Sequence, residues 1–165
     1  MSAATVTRHS DGLTITRRFA APRELVFRAL SEPEHLKQWW GPPDYPVDQC
    51  SVDFRPGGVW HYSLRGRHGG EVWARSVYRE IVPPERVTYV ERSSDPSGAV
   101  TDDRPGAFVT ITLKNDGDGT VFTARIRYQT PLDRDRAIQG GVEHGFSRAL
   151  DQLDDLLIRL GAALR

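Results

Sequence analysis

Three polar residues of this sequence are of types that can transfer protons or hold a charged group: Arg17, Tyr78 and Glu80. A carboxylate and a phenol that face one cavity can perform general acid–base chemistry on a bound molecule. Arg17 interrupts the apolar set of an alternating strand, between Ile15 and Phe19. If its side chain points inward, it needs a carboxylate or a ligand oxygen as partner, because an unpaired buried charge is costly. The spacing alone leaves open whether the three side chains converge.

The sequence motifs of other active sites are missing. The five histidines show no metal-binding spacing, and the single cysteine, Cys50, has no histidine beside it. There is no Gly-x-Ser-x-Gly nucleophile turn, no phosphate loop and no dinucleotide fingerprint. We therefore expect an inert Cys50 thiol, no metal, no cofactor and no catalytic set that the sequence itself identifies.

Aromatic side chains are concentrated in one part of the chain. All four tryptophans lie between residues 39 and 73, together with two turns rich in glycine and proline. Aromatic residues bury more apolar area than other side chains, so such a cluster forms either a core or the wall of an apolar pocket. Any one of these tryptophans can be a plain core residue. The cluster as a whole indicates where a ligand would bind.

Length and composition limit the classes of protein. We expect the 165 residues to form one domain over residues 1–165, with its core at about 13–160. The 22 basic and 22 acidic residues balance, which disfavours nucleic acid as a partner. No apolar stretch is long enough for a secretory signal or a membrane span, so we expect a cytoplasmic protein without membrane insertion. The sequence leaves monomer and homodimer open.

Periodicity predicts the elements that would position these residues. An alternating strand begins at Leu13, and two short helices follow it. Strands and turns then continue to about residue 130, with a strong hairpin signal at residues 115–119. A long amphipathic helix ends the chain and must cover one face of an antiparallel sheet. The predicted fold class is α+β.

The start of the last helix has an unusual composition. Gly140, Gly141 and Gly145 precede a leucine-rich remainder, although each glycine inside a helix costs about 1 kcal/mol relative to alanine. Their missing side chains would leave room for a flat apolar ligand, while a late helix start or close packing on aromatic rings explains them equally well. The residues expected to line the cavity are Trp39, Trp40, Phe54, Trp60, Tyr62, Trp73, Gly141, Val142, Gly145 and Phe146.

Several motifs follow one another at characteristic spacing. They are VFRAL at 26–30 through WWGP at 39–42, DFRPGG at 53–58, REIVPPERV at 79–87, Gly119-Thr120, and Gly145-Phe146 in the terminal helix. In this order they resemble the SRPBCC superfamily, and within it the branch named for the C-terminal domain of the activator of the heat-shock-protein-90 ATPase. The resemblance implies a helix-grip fold, in which a curved seven-stranded antiparallel sheet wraps around the C-terminal helix and encloses an apolar cavity.

The resemblance allows more than one function, since its relatives include binders of lipids and aromatic natural products as well as polyketide cyclases. Our leading hypothesis is a carrier or sensor that encloses one small apolar or aromatic molecule. An enzyme of the cyclase or hydrolase type, acting through polar cavity residues, is the first alternative. A chaperone-interacting module is the second. A chaperone partner is not expected, because co-chaperone relatives carry a separate N-terminal domain where this sequence has about a dozen residues before its first predicted strand.

Overall fold

The structure is a computed structural model that describes residues 3–101 and 106–163, with side chains of the last helix described up to residue 161. The helices and strands in chain order are β1 (Thr5–His9), β2 (Gly12–Phe19), α1 (Arg23–Ser31), α2 (Pro33–Trp39), β3 (Val47–Val52), β4 (Val59–Arg65), β5 (Glu71–Val82), β6 (Arg86–Ser94), β7 (Ala107–Asp116), β8 (Gly119–Arg127), α3 (Pro131–Gln139) and α4 (Val142–Ala163).

All described strands belong to one antiparallel sheet with the order β1-β2-β8-β7-β6-β5-β4-β3. The predicted hairpin joins β7 to β8, with Asp116 opposite Gly119. Because side chains alternate along a strand, the sheet has two faces. We call the face that carries the buried Tyr62, Tyr89 and Val109 the inner face, and the opposite face the outer face.

The α+β helix-grip fold is confirmed, since α4 lies on the inner face of a large antiparallel sheet and two short helices follow β2. The sheet has eight described strands instead of the expected seven. The additional strand, Thr5–His9, pairs with β2 at the edge of the sheet. Its side chains are largely polar and exposed, so they show no apolar alternation that would predict a strand.

The terminal helical region is two helices and not one. The break falls at Gly140–Gly141, between α3 and α4. Gly141 has a φ of +90°, a conformation that glycine adopts without the steric cost that a side chain brings. This glycine therefore turns the chain and does not make room for a ligand.

Packing differs between two parts of α4. Residues 150–157 are called the packed half. Their leucines are at most 3% exposed and join a core with α1, α2 and the sheet. Residues 142–149, which we call the cavity half, carry Val142, Gly145, Phe146 and Ala149 toward the sheet. The smaller residues of this half leave the space described next.

Candidate ligand-binding cavity

A cavity of about 250 Å³ lies between the cavity half of α4 and the inner face of the sheet. Its wall is mostly aromatic and aliphatic, which is typical of small-molecule sites. Among the described residues the lining consists of Trp40, Pro42, Tyr62, Leu64, Tyr89, Glu91, Ala107, Val109, Ile126, Tyr128, Val142, Gly145, Phe146 and Ala149.

Trp40 joins the wall on the sheet to the wall on α4. Its ring packs edge-on against Tyr62 of β4 and Phe146 of α4, at centroid distances of 6.1 and 5.7 Å. Edge-to-face contacts of this kind fix the orientation of aromatic rings as well as burying area. The aromatic side of the cavity is therefore preformed.

Gln152 holds the chain around Trp40 in place. Its side-chain amide donates hydrogen bonds to the carbonyl oxygens of Trp39, at 3.2 Å, and Gly41, at 2.5 Å. These two carbonyls lie at the end of α2, where the helix leaves backbone acceptors without intrahelical partners. Gln152, in the packed half of α4, thus fixes the position of the chain that carries Trp40 to the cavity wall.

The absence of a side chain at Gly145 leaves space beneath α4. A Cβ atom added at this position would have one described heavy atom within 4 Å, the Cγ of Pro42 at 3.9 Å. A Cβ atom there is therefore accommodated without a clash, and a longer side chain would extend from it beside the cavity. Gly145 lines the cavity directly, whereas Gly141 is explained by its backbone conformation.

Glu91 is the one charged residue among the described residues that line this cavity. It lies on β6, where it is opposite Ser76 of β5. The Tyr62 hydroxyl lies in the same wall and interacts with the Glu91 carboxyl, and the Trp40 indole N–H interacts in turn with the Tyr62 hydroxyl. Burial raises the pKa of Glu91, and the hydrogen bond from Tyr62 offsets only part of this rise. A carboxyl group of this kind can bind or exchange a proton closer to neutral pH than an ordinary glutamate.

Three tyrosines surround the Glu91 carboxyl: Tyr62, Tyr89 and Tyr128. Burial is the main cause that raises the pKa of each hydroxyl, and the negative charge of Glu91 raises all three further. For Tyr128 the pKa rises to about 12. The three side chains are therefore neutral phenols at physiological pH, and they can donate hydrogen bonds but do not act as bases.

A second cavity, of about 370 Å³, adjoins the first and extends toward α3. It reaches Asp133 and Ala137 of that helix and Arg92 of β6. Its wall is more polar than that of the first cavity, so the first is the better place for an apolar molecule. The residues that belong to both walls are Tyr62, Leu64, Glu91, Ala107 and Tyr128.

The structure brings five of the residues expected from the sequence into the cavity wall. They come from the end of α2, from β4 and from the cavity half of α4, which are far apart in the chain. The five residues are Trp40, Tyr62, Val142, Gly145 and Phe146.

Trp39 and Trp60 belong to the core and do not line the cavity, which corrects the expectation from the sequence. Trp39 is 1% exposed, and its indole N–H donates to the carbonyl of Ala29 at 2.9 Å. Trp60 is 3% exposed and contacts the ring of Trp40 at a centroid distance of 4.6 Å. Trp40 is the member of the cluster that reaches the cavity.

Phe54 and Tyr78 also pack in the interior instead of lining the cavity. Their ring centroids are 5.1 Å apart, and Phe54 also contacts Phe27 of α1. The Tyr78 hydroxyl is buried with no hydrogen-bond partner among the described residues. Tyr78 is therefore a core residue and not the polar cavity residue that its type indicated.

Trp73 and Glu80 lie on the outer face of β5. The Trp73 ring stacks on His61 at a centroid distance of 4.8 Å. Trp73 pairs with Ser63, which points to the outer face because its neighbour Tyr62 points to the inner face. A register shift between Tyr78 and Glu80 turns the glutamate outward. There it forms an ion pair of 2.7 Å with Arg86. Glu80 lines neither of the two cavities, whereas Trp73 is absent from the wall of the first and belongs to that of the adjoining one.

Arg17 does point inward, but its partners are protein carboxylates. The guanidinium forms an ion pair and hydrogen bond with Asp151 and lies 3.6 Å from Asp154, both on α4. It also lies over the ring of Phe19, at 5.3 Å from the centroid. The charge of Arg17 is thus balanced within the fold, and this residue joins β2 to the packed half.

Sequence reasoning missed Glu91, Tyr89 and Tyr128. A signal for the first two was present, since Val87, Tyr89 and Glu91 occupy alternate positions of one strand and share its inner face. An apolar and an aromatic residue in that series mark the glutamate as inward-facing. Tyr128 follows the last residue of β8, where no periodic pattern indicates its direction.

Other types of site find little support in the described residues. No group of three or more His, Cys, Asp or Glu side chains within residues 3–101 and 106–163 is placed to hold a metal ion. Cys50 is partly buried, and burial raises the pKa of its thiol, which makes it a poor nucleophile. Among the described helices, none has the length and apolar character needed to cross a membrane.

Comparison with known proteins places the whole domain in context. A family model described as "Activator of Hsp90 ATPase homolog 1-like protein" matches residues 20–158. The solved structure of protein NE0264 from Nitrosomonas europaea is 28% identical, with a TM-score of 0.82 over 94% of this chain and 99% of that one. Protein Ms6760 from Mycobacterium smegmatis is 27% identical, with a TM-score of 0.86 over 93% and 96%. CalU16 from Micromonospora echinospora, 20% identical with a TM-score of 0.62 over 95% and 86%, shares the fold. No curated protein matches the sequence.

Proposed function

The chain belongs to the family described as Activator of Hsp90 ATPase homolog 1-like protein, and we propose that its cavity binds one small, apolar and largely aromatic molecule. The observation that carries the proposal is the cavity half of α4. Val142, Gly145 and Ala149 face the aromatic wall without filling the space between helix and sheet. Protein interiors are close-packed, so a space of about 250 Å³ beside a fully packed half of the same helix is not an ordinary packing defect.

The size and chemistry of the cavity limit the ligand. Its volume of about 250 Å³ lies just below the range of about 300–1,000 Å³ that is usual for ligand pockets. A molecule of one or two rings suits it better than a long lipid chain. The rings of Trp40, Tyr62 and Phe146 offer faces and edges for offset or edge-on stacking.

A titration with 6-propionyl-2-(dimethylamino)naphthalene, a two-ring dye whose fluorescence responds to an apolar environment, tests this proposal. The wild type should give a saturable one-to-one increase in fluorescence. Gly145→Leu should abolish it without lowering the melting temperature, because the new side chain enters the cavity and removes a helical glycine. Gly161→Leu is the matched control, since a Cβ at that position of α4 meets no described atom within 4 Å and Gly161 lies outside the cavity. Equal binding by the wild type and Gly145→Leu would contradict the proposal.

A second candidate function is acid–base catalysis of the polyketide cyclase or hydrolase type. It is favoured by one observation: the carboxyl of Glu91, whose pKa is raised by burial, lines the same cavity as the Tyr62 hydroxyl. A carboxyl group in such a position can remove a proton next to a carbonyl of a bound molecule.

Deuterium exchange distinguishes a catalytic function from binding alone. 2-Acetonaphthone is incubated with the protein in D₂O, and loss of its methyl proton signal is followed by NMR. A catalyst accelerates the exchange, and Glu91→Gln abolishes the acceleration because an amide is not a base at neutral pH. Exchange at the buffer rate with the wild type would leave binding alone as the function.

A further inference from the structure

Among the described residues that line this cavity, Glu91 is the one that can carry a charge. It lies in the same wall as the phenols of Tyr62, Tyr89 and Tyr128, which are neutral hydrogen-bond donors. None of the described residues that line this cavity is a lysine, arginine or histidine. A half-buried carboxylate with no cation in the same wall interacts favourably with a positive charge, so the site favours a molecule that supplies one.

Arg92, the next residue on β6, and Asp133 of α3 line the adjoining cavity and not this one. Their charges are opposite in sign, so the charge that a ligand meets in the described wall of the first cavity is that of Glu91.

The aromatic side chains of the wall also favour a cationic ligand. The side chains of Trp40, Tyr62, Tyr89, Tyr128 and Phe146 line the cavity together with Glu91. The faces of aromatic rings carry partial negative charge and attract organic cations, most strongly where water is excluded. A carboxylate within a ring of aromatic side chains is an arrangement suited to an ammonium group that is attached to an apolar body.

We propose that the molecule bound in this cavity is an arylalkylamine, whose amino group sits on a saturated carbon and is protonated at neutral pH, and that Glu91 is the residue that selects the amino group. The inference rests on the proposed binding function and specifies the chemistry of its ligand. The apolar body lies against Val109, Val142 and Ala149, and the ammonium group lies against the Glu91 carboxylate.

Three probes of matched size test this inference by calorimetry at pH 8: 2-naphthylmethylamine, 2-ethylnaphthalene and 2-acetonaphthone. The wild type should bind the amine about tenfold or more tightly than the hydrocarbon, because a charge-assisted hydrogen bond in a site poor in water is strong. In Glu91→Gln the ratio of the two affinities should fall to about one, since the amide keeps the shape but not the charge. Glu80→Gln is the matched control and should keep the preference, because Glu80 lies on the outer face.

The outcomes distinguish the inference about the amine from the binding function on which it rests. Binding of the hydrocarbon and the amine with equal affinity by the wild type would overturn the amine inference and leave the binding function standing. An amine preference that persists in Glu91→Gln, or tightest binding of the ketone, would also overturn the inference. Failure of all three probes to bind the folded wild type would contradict both.

Discussion

The packed half and the cavity half of α4 face the same sheet, yet only one of them leaves space. In the packed half Leu150, Leu153 and Leu157 reach the core and are at most 3% exposed. In the cavity half the facing positions include Gly145 and Val142, and a cavity of about 250 Å³ remains. The difference shows that the size of the side chains on one helix face decides where this fold is a core and where it is a binding site.

The two halves also differ in the partners of the charged residue beside each: Arg17 is buried and Glu91 is half-buried. Arg17, beside the packed half, has the carboxylates of Asp151 and Asp154 as partners. Glu91, beside the cavity half, has the neutral Tyr62 hydroxyl and no cation among the described lining residues. A charge that is balanced within the protein stabilises the fold, whereas an unbalanced charge at a cavity is available to a ligand.

The largest effect is expected from removing the partners of Arg17. Asp151→Asn combined with Asp154→Asn leaves a buried guanidinium without a counter-charge, which should lower the free energy of unfolding by about 3–5 kcal/mol. Arg17→Met removes the charge and keeps apolar volume beside Phe19, so its cost should be much smaller. Urea denaturation of both variants measures the difference. Equal costs would show that the ion pair does not hold the packed half to β2.

A pair of leucine truncations compares the two halves directly. Leu153→Ala should cost about 2–5 kcal/mol of unfolding free energy, because it opens a hole in close-packed surroundings. Leu64→Ala should cost less, since Leu64 already borders the cavity and loses fewer contacts. The measurement is again denaturant unfolding of each variant. A cost for Leu64→Ala equal to that of Leu153→Ala would mean that the cavity region is as tightly packed as the core.

A smaller, pH-dependent effect is expected at Glu91. Burial raises the pKa of its carboxyl in the folded protein, so the folded state holds the proton to higher pH than the unfolded state. Stability is therefore lost as the pH rises from the ordinary glutamate range, at about pH 4, through the raised pKa. The groups that face Glu91 are the phenols of Tyr62, Tyr89 and Tyr128, which stay neutral throughout this range.

Glu91→Gln does not titrate, so it isolates this contribution. Its melting temperature should exceed that of the wild type at neutral pH, and the gap should shrink as the pH is lowered toward about 4. Scanning calorimetry at a series of pH values measures the gap. A gap that is constant over this range, or that widens at low pH, would contradict the buried position of the carboxyl.

Much of the fold was predictable from the sequence because its elements carry strong periodic patterns. The apolar stripe of α4 and the hairpin signal at residues 115–119 each specify a local structure and agree with the observed one. The edge strand Thr5–His9 was missed because exposed polar residues carry no such pattern. The break at Gly141 was missed as well, because a glycine inside an apolar stripe does not reveal its φ angle.

The site was harder to predict than the fold because it depends on the direction of single side chains. Trp73 and Tyr62 were assigned to one wall, although strand pairing places Trp73 opposite Ser63 on the outer face. The register shift before Glu80 likewise turned an expected cavity residue outward. Both directions follow from the register between strands, which residue types along one strand do not determine.

The most direct test of the central claim is the position of a bound molecule. Intermolecular NOEs between 2-naphthylmethylamine and the isotope-labelled protein locate the ligand without any substitution. The expected result is a set of NOEs to the rings of Phe146 and Tyr128, the Gly145 Hα protons and the Val109 methyl groups, which meet only in this cavity. Saturable binding with NOEs confined to the outer face, for example to His61 and Arg75, would contradict the claim that the cavity half of α4 forms the binding site.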